Sequence, residues 1–234
     1  MKTLITEDFI CAARDYYYLL DSGYPQKSVL KLVSDKFALN RYQRILLYRG
    51  ITSSSAVDRR HSKITRELKN SVLHIDTYNV LYTISNYILG RTVFVSNDGF
   101  LRDTGEVFRK LSAGKLFNQV IRRALDYLST QHLDTIRFFI DSPVSFSGQL
   151  AAFLNDTINN YSLKGEATTV KSPDHTLKQI KKGVIATSDS AIMDQTGGMI
   201  TDLPRQIISN YYQPDFIDLG GLLKDMQIQS RDTE

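Results

Sequence analysis

The sequence has little cysteine and no long apolar run. It holds one cysteine, Cys11, in 234 residues, which excludes an internal disulfide, and no other cysteine or histidine stands near it at the spacing of a zinc site. No apolar run approaches the length of a membrane span, and acids interrupt the first 20 residues where a signal peptide needs an apolar core. We expect a soluble protein in a reducing cytoplasm, with no membrane partner.

Two nucleotide-binding motifs are also missing. No Gly-x-Gly-x-x-Gly follows the first predicted strand, and the chain has no Gly-x-x-x-x-Gly-Lys. The four histidines, His61, His74, His132 and His175, show no metal-ligand spacing. A dinucleotide site and a P-loop therefore have no support, and the acidic residues become the main candidates for chemistry.

Charge is distributed unevenly along a chain of globular composition, with 42% hydrophobic and 23% charged residues. Residues 1–70 contain 13 Lys or Arg against 7 Asp or Glu, which leaves 16 against 18 for the remainder. A basic module beside a slightly acidic one is typical of a nucleic-acid enzyme in which one part holds phosphates and the other a metal. The alternative is that these charges are solvated helix faces.

The chain divides into three predicted segments. Apolar positions at helical spacing and the turn signal at Gly23 predict a small helical N-terminal domain over residues 1–52. Residues 53–70, which are polar, Ser-rich and basic, read as a linker from which Arg59, Arg60 and Lys63 touch phosphate. Residues 71–234 form the second domain.

Strand and helix patterns alternate in the second domain. The predicted strands are "SVLHID", "TVFVS", "TIRFFID", "GEATTVK" and "GVIATSD", with amphipathic helices between them and an edge strand in "DFIDLGGLLKDM". Continuous apolar strands interleaved with helices predict an α/β fold with a mostly parallel sheet and helices on both faces.

Three of these strands end in aspartate: Asp76, Asp141 and Asp189. Because the carboxyl ends of parallel strands lie along one edge of a sheet, these side chains are expected to converge, and Asp174 reaches the same edge. Asp194 lies on its rim. Carboxylates so close together repel unless protons or a cation neutralise them, and Mg²⁺ or Mn²⁺ is the cation that prefers oxygen ligands. The inferred chemistry is metal-dependent hydrolysis of phosphodiesters.

Each acid also has a structural interpretation, because aspartate is a favoured helix cap. Serines stand where they can take that role: Ser145 for the helix after Asp141, Ser172 beside Asp174 and Ser188 beside Asp189. If the serines cap the helices, the acids are available for another role.

The motifs "HIDTYNVL", "FFID", "VKSPDHTL" and "VIATSDSAIMD", in that order, resemble those of the PIN and NYN nuclease superfamily. The resemblance covers residues 71 to about 219. It implies a PIN-like fold, a divalent-metal site and endonucleolytic cleavage of single-stranded or structured RNA. The implied carboxylates are Asp76, Asp141, Asp174 and Asp189, with Asn79 as a supporting polar group. The whole chain also resembles an uncharacterised two-part family of microbial proteins, which supplies no activity.

The sequence departs from that pattern in two places. Many members of the superfamily have an Asp-x-Asp in the last motif, whereas Ala191 stands there and the next acid is Asp194. The insertion after the first helix, "GRTVFVSNDGFLRDTGEVFRK", is long. Its "NDG" favours a hairpin turn. The alternative is that Asp103 or Glu106 joins the metal site while Arg102 or Arg109 holds phosphate.

Lysines near the proposed edge, Lys178, Lys181 and Lys182, are candidates to line a groove for a nucleic-acid strand. The leading hypothesis is a metal-dependent nuclease. The alternatives are an inactive PIN-like protein that only binds nucleic acid, for which Ala191 is the best support, and a protein-interaction module. The oligomeric state stays open, a homo-oligomer included.

Overall fold

Capping residues and helical spacing agree at the front of the chain. In the computed structural model, which describes residues 4–105 and 114–231, the Thr6 side chain accepts from the Phe9 amide at 3.2 Å and begins the first helix. Asn40 and Gln43 form a reciprocal capping box at the start of the third helix. Gly23, with a φ of 83°, follows the end of the first helix, as predicted from the turn signal.

The helices and strands follow in chain order. The helices are α1 (Glu7–Asp21), α2 (Gln26–Lys36), α3 (Arg41–Gly50), α4 (Ser54–His61), α5 (Thr77–Ile88), α6 (Lys115–Ser129), α7 (Ser147–Asn160), α8 (Pro173–Lys178), α9 (Ser190–Gln195), α10 (Leu203–Tyr211) and α11 (Leu219–Arg231). The strands are β1 (Val72–Asp76), β2 (Val93–Val95), β3 (Leu101–Asp103), β4 (Thr135–Asp141), β5 (Gly165–Val170), β6 (Val184–Ala186), β7 (Met199–Thr201) and β8 (Ile217–Asp218).

The predicted fold class is confirmed. A helical N-terminal region precedes an α/β domain whose five-stranded sheet is flanked by helices. Among the helices of the described residues, none is long and apolar enough to cross a membrane.

Two compact units divide the chain, and their boundaries differ from the predicted ones. The first unit comprises residues 1–62, 92–105 and 215–234, and the second comprises residues 63–91 and 106–214. The segment predicted as a linker contributes α4 to the first unit. Phe94 of the insertion and Leu219 and Leu223 of the tail share a buried apolar core with α1, α2 and α3, which explains why these distant segments belong together.

A three-stranded sheet in the order β3-β2-β8 lies in the first unit. β2 and β3 are antiparallel, β2 and β8 are parallel, and Gly99 adopts a φ of 84° in the turn of the hairpin. The hairpin interpretation of "NDG" is therefore confirmed.

The second unit contains the five-stranded sheet, in the order β5-β4-β1-β6-β7. Every neighbouring pair in it is parallel, with Ile75 opposite Phe138 on one side and Ala186 on the other. The chain enters in the middle at β1, adds β4 and β5 on one side, and then crosses to add β6 and β7 on the other. β1 and β6 are thus the neighbours at which the strand order reverses, the position where open α/β sheets bind ligands.

Candidate functional site

Asp76 closes β1 at the point where the strand order reverses. It occupies the N-cap position of α5, but its side chain makes no capping hydrogen bond. The residue is 6% exposed, and its carboxylate accepts a hydrogen bond from Thr187 Oγ1 at 2.9 Å. The Asp76 side chain therefore points toward the end of β6 and does not cap its own helix.

The segment after β6 is tied to the start of α5 by side-chain hydrogen bonds. Asn79 Oδ1 accepts from the backbone N–H of Ser188 at 2.9 Å and from its hydroxyl at 3.1 Å. Thr187 Oγ1, the donor to Asp76, also accepts from the Asp189 amide at 3.1 Å. Asn79 and Thr187 therefore fix the chain around the Asp76 carboxylate, and Asn79 lies at the site for which the sequence proposed it.

Asp141 is the last residue of β4, the other neighbour of β1. Asp76 is in register with Phe139, so Asp141 lies two residues further along the strand direction than Asp76, and it is half-buried. Asp174 is exposed in the first turn of α8, four residues after β5 ends. The strand order therefore places these three acids at the carboxyl ends of neighbouring strands.

The predicted serine caps hold at one helix of three. Ser172 caps α8, accepting from the His175 amide at 3.2 Å, which leaves Asp174 outside that bond. At α7 the N-cap position is Phe146 rather than Ser145, and no side chain caps it. At α9 the cap is Asp189 itself, whose Oδ1 accepts from the amides of Ala191 and Ile192. The predictions for Ser145 and Ser188 are wrong, and one oxygen of Asp189 is engaged by its helix.

Burial and mutual repulsion raise the pKa of the carboxyls at this edge. Burial raises the pKa of Asp76 to about 7; the Thr187 hydrogen bond opposes the rise, and the charges of Asp174, Asp189 and Asp141 add to it. Burial, and then the charge of Asp174, also raises the pKa of Asp141. The acids that the sequence grouped together therefore lie close enough to affect each other's ionisation.

These acids provide oxygen ligands for a hard cation but no complete cage. Among residues 4–105 and 114–231, no three His, Cys, Asp or Glu side chains are placed so that they hold an ion by themselves. Mg²⁺ is commonly held by one or two carboxylates, with water and substrate phosphate completing its shell. Asp76 with Asp141 or Asp174 fits that mode. Asp194 is exposed near the end of α9. Of the predicted ligands, it lies furthest along the chain from the strand that precedes it.

Arg60 and Arg102, proposed as phosphate ligands, are instead buried in the first unit. Arg60 Nη1 lies 2.7 Å from Asp98 Oδ2, and Arg102 binds both oxygens of the same carboxylate at 2.8 and 2.7 Å. Asp98 is 0% exposed. Burial alone would raise its pKa, but Arg102, then Ser96 and Arg60 outweigh burial and hold the pKa well below its usual range. Charges buried this deeply must be paired, so both guanidinium groups serve the fold of this unit.

Asp103 and Lys63 likewise have structural partners. Asp103, 6% exposed in the first unit, accepts from Arg49 Nη1 at 3.1 Å and from the Gly105 amide at 2.6 Å. Lys63 Nζ donates to the backbone carbonyls of Met193 and Thr196 at the end of α9, where helix carbonyls lack intrahelical partners. Arg59, by contrast, is exposed in the last turn of α4.

Two of the three predicted groove lysines lie away from the acids. Lys181 and Lys182 are separated from the start of β6 by Gly183 alone, and the start of a strand in a parallel sheet lies at the edge opposite its carboxyl end. Lys178 ends α8, the helix that returns from the acidic edge. The structure therefore separates Lys181 and Lys182 from the carboxylates and places them outside the site. Glu106 and Arg109 fall outside the residues that the structure describes.

Thr187 is a site residue that the sequence reasoning missed. It follows the buried strand "VIA" directly and stands two positions before Asp189, so a hydroxyl at a strand exit was the available signal. Phe146, five residues after Asp141, lies in the loop that follows β4 and is 60% exposed.

Comparison with known proteins gives matches to both parts of the chain. A family model described as "Domain of unknown function (DUF5616)" matches residues 65–206, and one described as "Protein of unknown function (DUF434)" matches residues 8–63. An uncharacterised protein of Methanocaldococcus jannaschii is 29% identical over 184 residues, which cover 78% of this chain and 87% of that protein. No solved structure matches the chain significantly. The predicted two-part family is confirmed, and neither matched model is described as a nuclease.

Proposed function

We propose the following function for a chain that belongs to the family described as "Domain of unknown function (DUF5616)": it is a divalent-metal-dependent nuclease that hydrolyses phosphodiester bonds at the carboxyl edge of its parallel sheet. The observation that carries the proposal is the convergence of Asp76, Asp141, Asp174 and Asp189; burial raises the pKa of Asp76 to about 7, and the charges of the other three acids add to the rise. Repulsion between carboxylates destabilises a fold, and a bound cation neutralises it; such clusters are therefore common at functional sites.

The roles of the residues follow from their surroundings. Asp76 is buried and fixed by Thr187, so it is suited to hold a cation in one position. Asp141 is half-buried and its pKa is raised, which suits it to take a proton from an attacking water. Asn79 holds the segment after β6 in place. A divalent ion bound here would polarise the phosphodiester and lower the pKa of its bound water.

RNA is the substrate that the resemblance to PIN and NYN nucleases implies. The first unit contains a cleft of about 520 Å³ that is a candidate to bind RNA. Its lining includes Arg41, Arg44, Arg49 and Tyr48. Arg44 and Arg49 are ion-paired with Asp35 and Asp103, whereas Arg41 is exposed in the first turn of α3. Guanidinium groups beside an aromatic ring are suited to phosphate and base.

A cleavage assay tests the proposal. The wild type is incubated with end-labelled single-stranded RNA, the matched duplex and single-stranded DNA, in Mg²⁺, in Mn²⁺ and in chelator. We expect metal-dependent cleavage of RNA, with a loss of at least about 100-fold in Asp76→Asn and in Asp141→Asn. Asp134→Asn is the matched control, because Asp134 is exposed and precedes the same strand at the opposite edge. Full activity of both site variants would refute the proposal.

A binding protein without nuclease activity is the second candidate. Ala191 stands where a further acid is common in the resembling superfamily, and Asp189 spends one oxygen on its own helix. Nucleic-acid binding that persists in chelator, with no cleavage of the three substrates in either metal, would favour this candidate.

A further inference from the structure

Phe146 is the one exposed phenylalanine among the residues that the structure describes. Its relative exposure is 60%. The other phenylalanines of the described residues are buried or partly buried; Phe138 on β4, for example, is 1% exposed. Apolar burial therefore does not explain a phenylalanine at this position.

The backbone does not explain it either. Phe146 adopts a left-handed conformation, with φ 68° and ψ 13°, at the N-cap position of α7. This conformation is unfavourable for an L-amino acid with a side chain and is the usual place of glycine. Its side chain makes no capping hydrogen bond. Four other non-glycine residues, Ala38, Asn70, His132 and Ser162, also have a positive φ, but among these five only Phe146 carries a large apolar ring that faces solvent. Strained conformations cluster at functional sites, so this ring is a candidate for contact with a ligand.

The loop that carries Phe146 begins at Asp141 and is closed by hydrogen bonds. The Val144 amide donates to the Asp141 carbonyl at 3.2 Å, and Ser147 Oγ donates to the Ser142 carbonyl at 3.2 Å. The Ser142 amide donates to the Val170 carbonyl at 2.8 Å, which ties the loop to the end of β5. The ring is thus presented from a short, cross-linked loop at the same sheet edge as the carboxylates.

We propose that Phe146 is a stacking platform for an unpaired base of a single-stranded nucleic acid, and that it presents the neighbouring phosphodiester to the carboxylate edge. This rests on the proposed function and adds the form of the substrate. Aromatic rings stack on every base, so the platform selects little for sequence. A base inside a duplex already stacks on its neighbours, so the platform selects for single strands.

The chain contains no tryptophan, so Phe146→Trp creates a single fluorescent reporter at the platform. The probes are an oligouridylate, an oligothymidylate of the same length, and a duplex of the same length. Titrations are run in chelator and again in Ca²⁺, and circular dichroism checks folding. Met199→Trp is the matched control, because Met199 is 40% exposed and begins β7 at the opposite edge of the sheet.

We expect single strands to quench Phe146→Trp and to leave Met199→Trp unchanged, with no quenching by the duplex. In the same conditions Phe146→Ala should bind the oligouridylate about 5- to 100-fold more weakly than wild type, with duplex binding unaltered. Equal quenching of both tryptophan proteins, unaltered binding by Phe146→Ala, or no binding of single strands to the wild type would each overturn the platform.

Failure of the platform and failure of the nuclease proposal are distinguishable. Quenching does not depend on product formation. If single strands quench Phe146→Trp but the wild type cleaves no substrate, the platform stands and the nuclease proposal fails. Conversely, if the wild type cleaves RNA and Phe146→Ala binds and cleaves equally well, the platform is refuted and the nuclease stands.

Discussion

Thr187 donates a hydrogen bond from β6's exit to the buried carboxylate of Asp76 on β1, over 2.9 Å. The same oxygen accepts from the Asp189 backbone amide at 3.1 Å, so one hydroxyl contacts the carboxylate of Asp76 and the backbone of Asp189. Asp76 is only 6% exposed, so water has little access to replace this donor. Thr187 is therefore placed to determine how readily Asp76 is ionised.

We predict that Thr187→Val destabilises the protein by about 1–3 kcal/mol at pH 8, where Asp76 is largely ionised and loses its donor. The effect should be smaller at pH 5, where the carboxyl is protonated. Urea unfolding at both pH values measures it. Thr187→Ser keeps the hydroxyl and is the control; an equal loss in both variants would mean that the loss of the hydroxyl is not the cause.

The raised pKa of Asp76 predicts a stability that falls as pH rises. Its folded pKa of about 7 lies above the unfolded value of 3.8, so between these values the folded state binds a proton that the unfolded state has lost. The group's contribution is then most favourable near pH 4 and is lost progressively up to about pH 7. At about 1.4 kcal/mol per pKa unit, the full loss is on the order of 4 kcal/mol.

Asp76→Asn should remove this slope. Measured in chelator, the wild type and the variant should have similar unfolding free energies near pH 4, and the variant should be the more stable at pH 8. Since the other titrating groups are common to both proteins, the difference between their curves reports Asp76 together with its coupling to the neighbouring carboxyls. Parallel curves from pH 4 to pH 8 would show that Asp76 titrates normally.

A cation at the acidic edge should reverse the same loss. We predict that Mn²⁺ raises the unfolding free energy of the wild type at pH 8 by about 3 kcal/mol when present at 100 times its dissociation constant. The gain should be smaller at pH 5 and absent in Asp141→Asn. Calorimetric titration of Mn²⁺ into both proteins checks binding directly, with Asp134→Asn as the control that should bind like the wild type. Equal binding by Asp141→Asn would move the metal away from this edge.

Much of the secondary structure of the second unit could be predicted from the sequence, because its central strands are continuous apolar runs. The apolar run "TIRFFID" ends in an acid, and the structure has β4 over that same span, Thr135–Asp141. In contrast, β7 has three residues, Met199–Thr201, and no periodic pattern of its own. It forms by pairing with β6, a long-range contact that no local pattern announces.

The site was predictable in its acids but not in its supporting groups. Parallel strand ends must share an edge, so the grouping of Asp76 and Asp141 followed from topology alone. Whether Ser188 or Asp189 caps α9 depends on a shift of one residue in where the helix begins, which sequence does not resolve. Sequence also does not resolve which face of α4 is buried. Its adjacent arginines, Arg59 and Arg60, point about 100° apart around the helix, and Arg60 is buried whereas Arg59 is exposed.

Those adjacent arginines give a matched prediction. Arg60 is 3% exposed and paired with Asp98, whereas Arg59 is exposed. Arg60→Met should destabilise the protein by about 3 kcal/mol, since it removes one partner from a buried carboxylate. Arg59→Met should change stability by less than about 0.5 kcal/mol. Thermal unfolding of the two variants checks this, and a similar shift in both would mean that Arg60 is not a structural residue.

Phe146→Gly separates the backbone cost of the platform from its binding function. The left-handed conformation of residue 146 costs an L-residue about 1–2 kcal/mol, and glycine relieves that strain. Part of the relief is offset because glycine makes the unfolded chain more flexible and so raises the entropy lost on folding. We therefore predict that Phe146→Gly raises the unfolding free energy by up to about 1 kcal/mol while it weakens binding of single strands.

Phe146→Ala is the control for that last prediction, because alanine removes the ring but keeps a side chain in the left-handed conformation. It should lose binding as glycine does, without the gain in stability. Urea unfolding and oligouridylate binding of the two variants give both quantities. If Phe146→Gly instead loses stability, the ring contributes to packing, and its exposure would no longer argue for a role in binding.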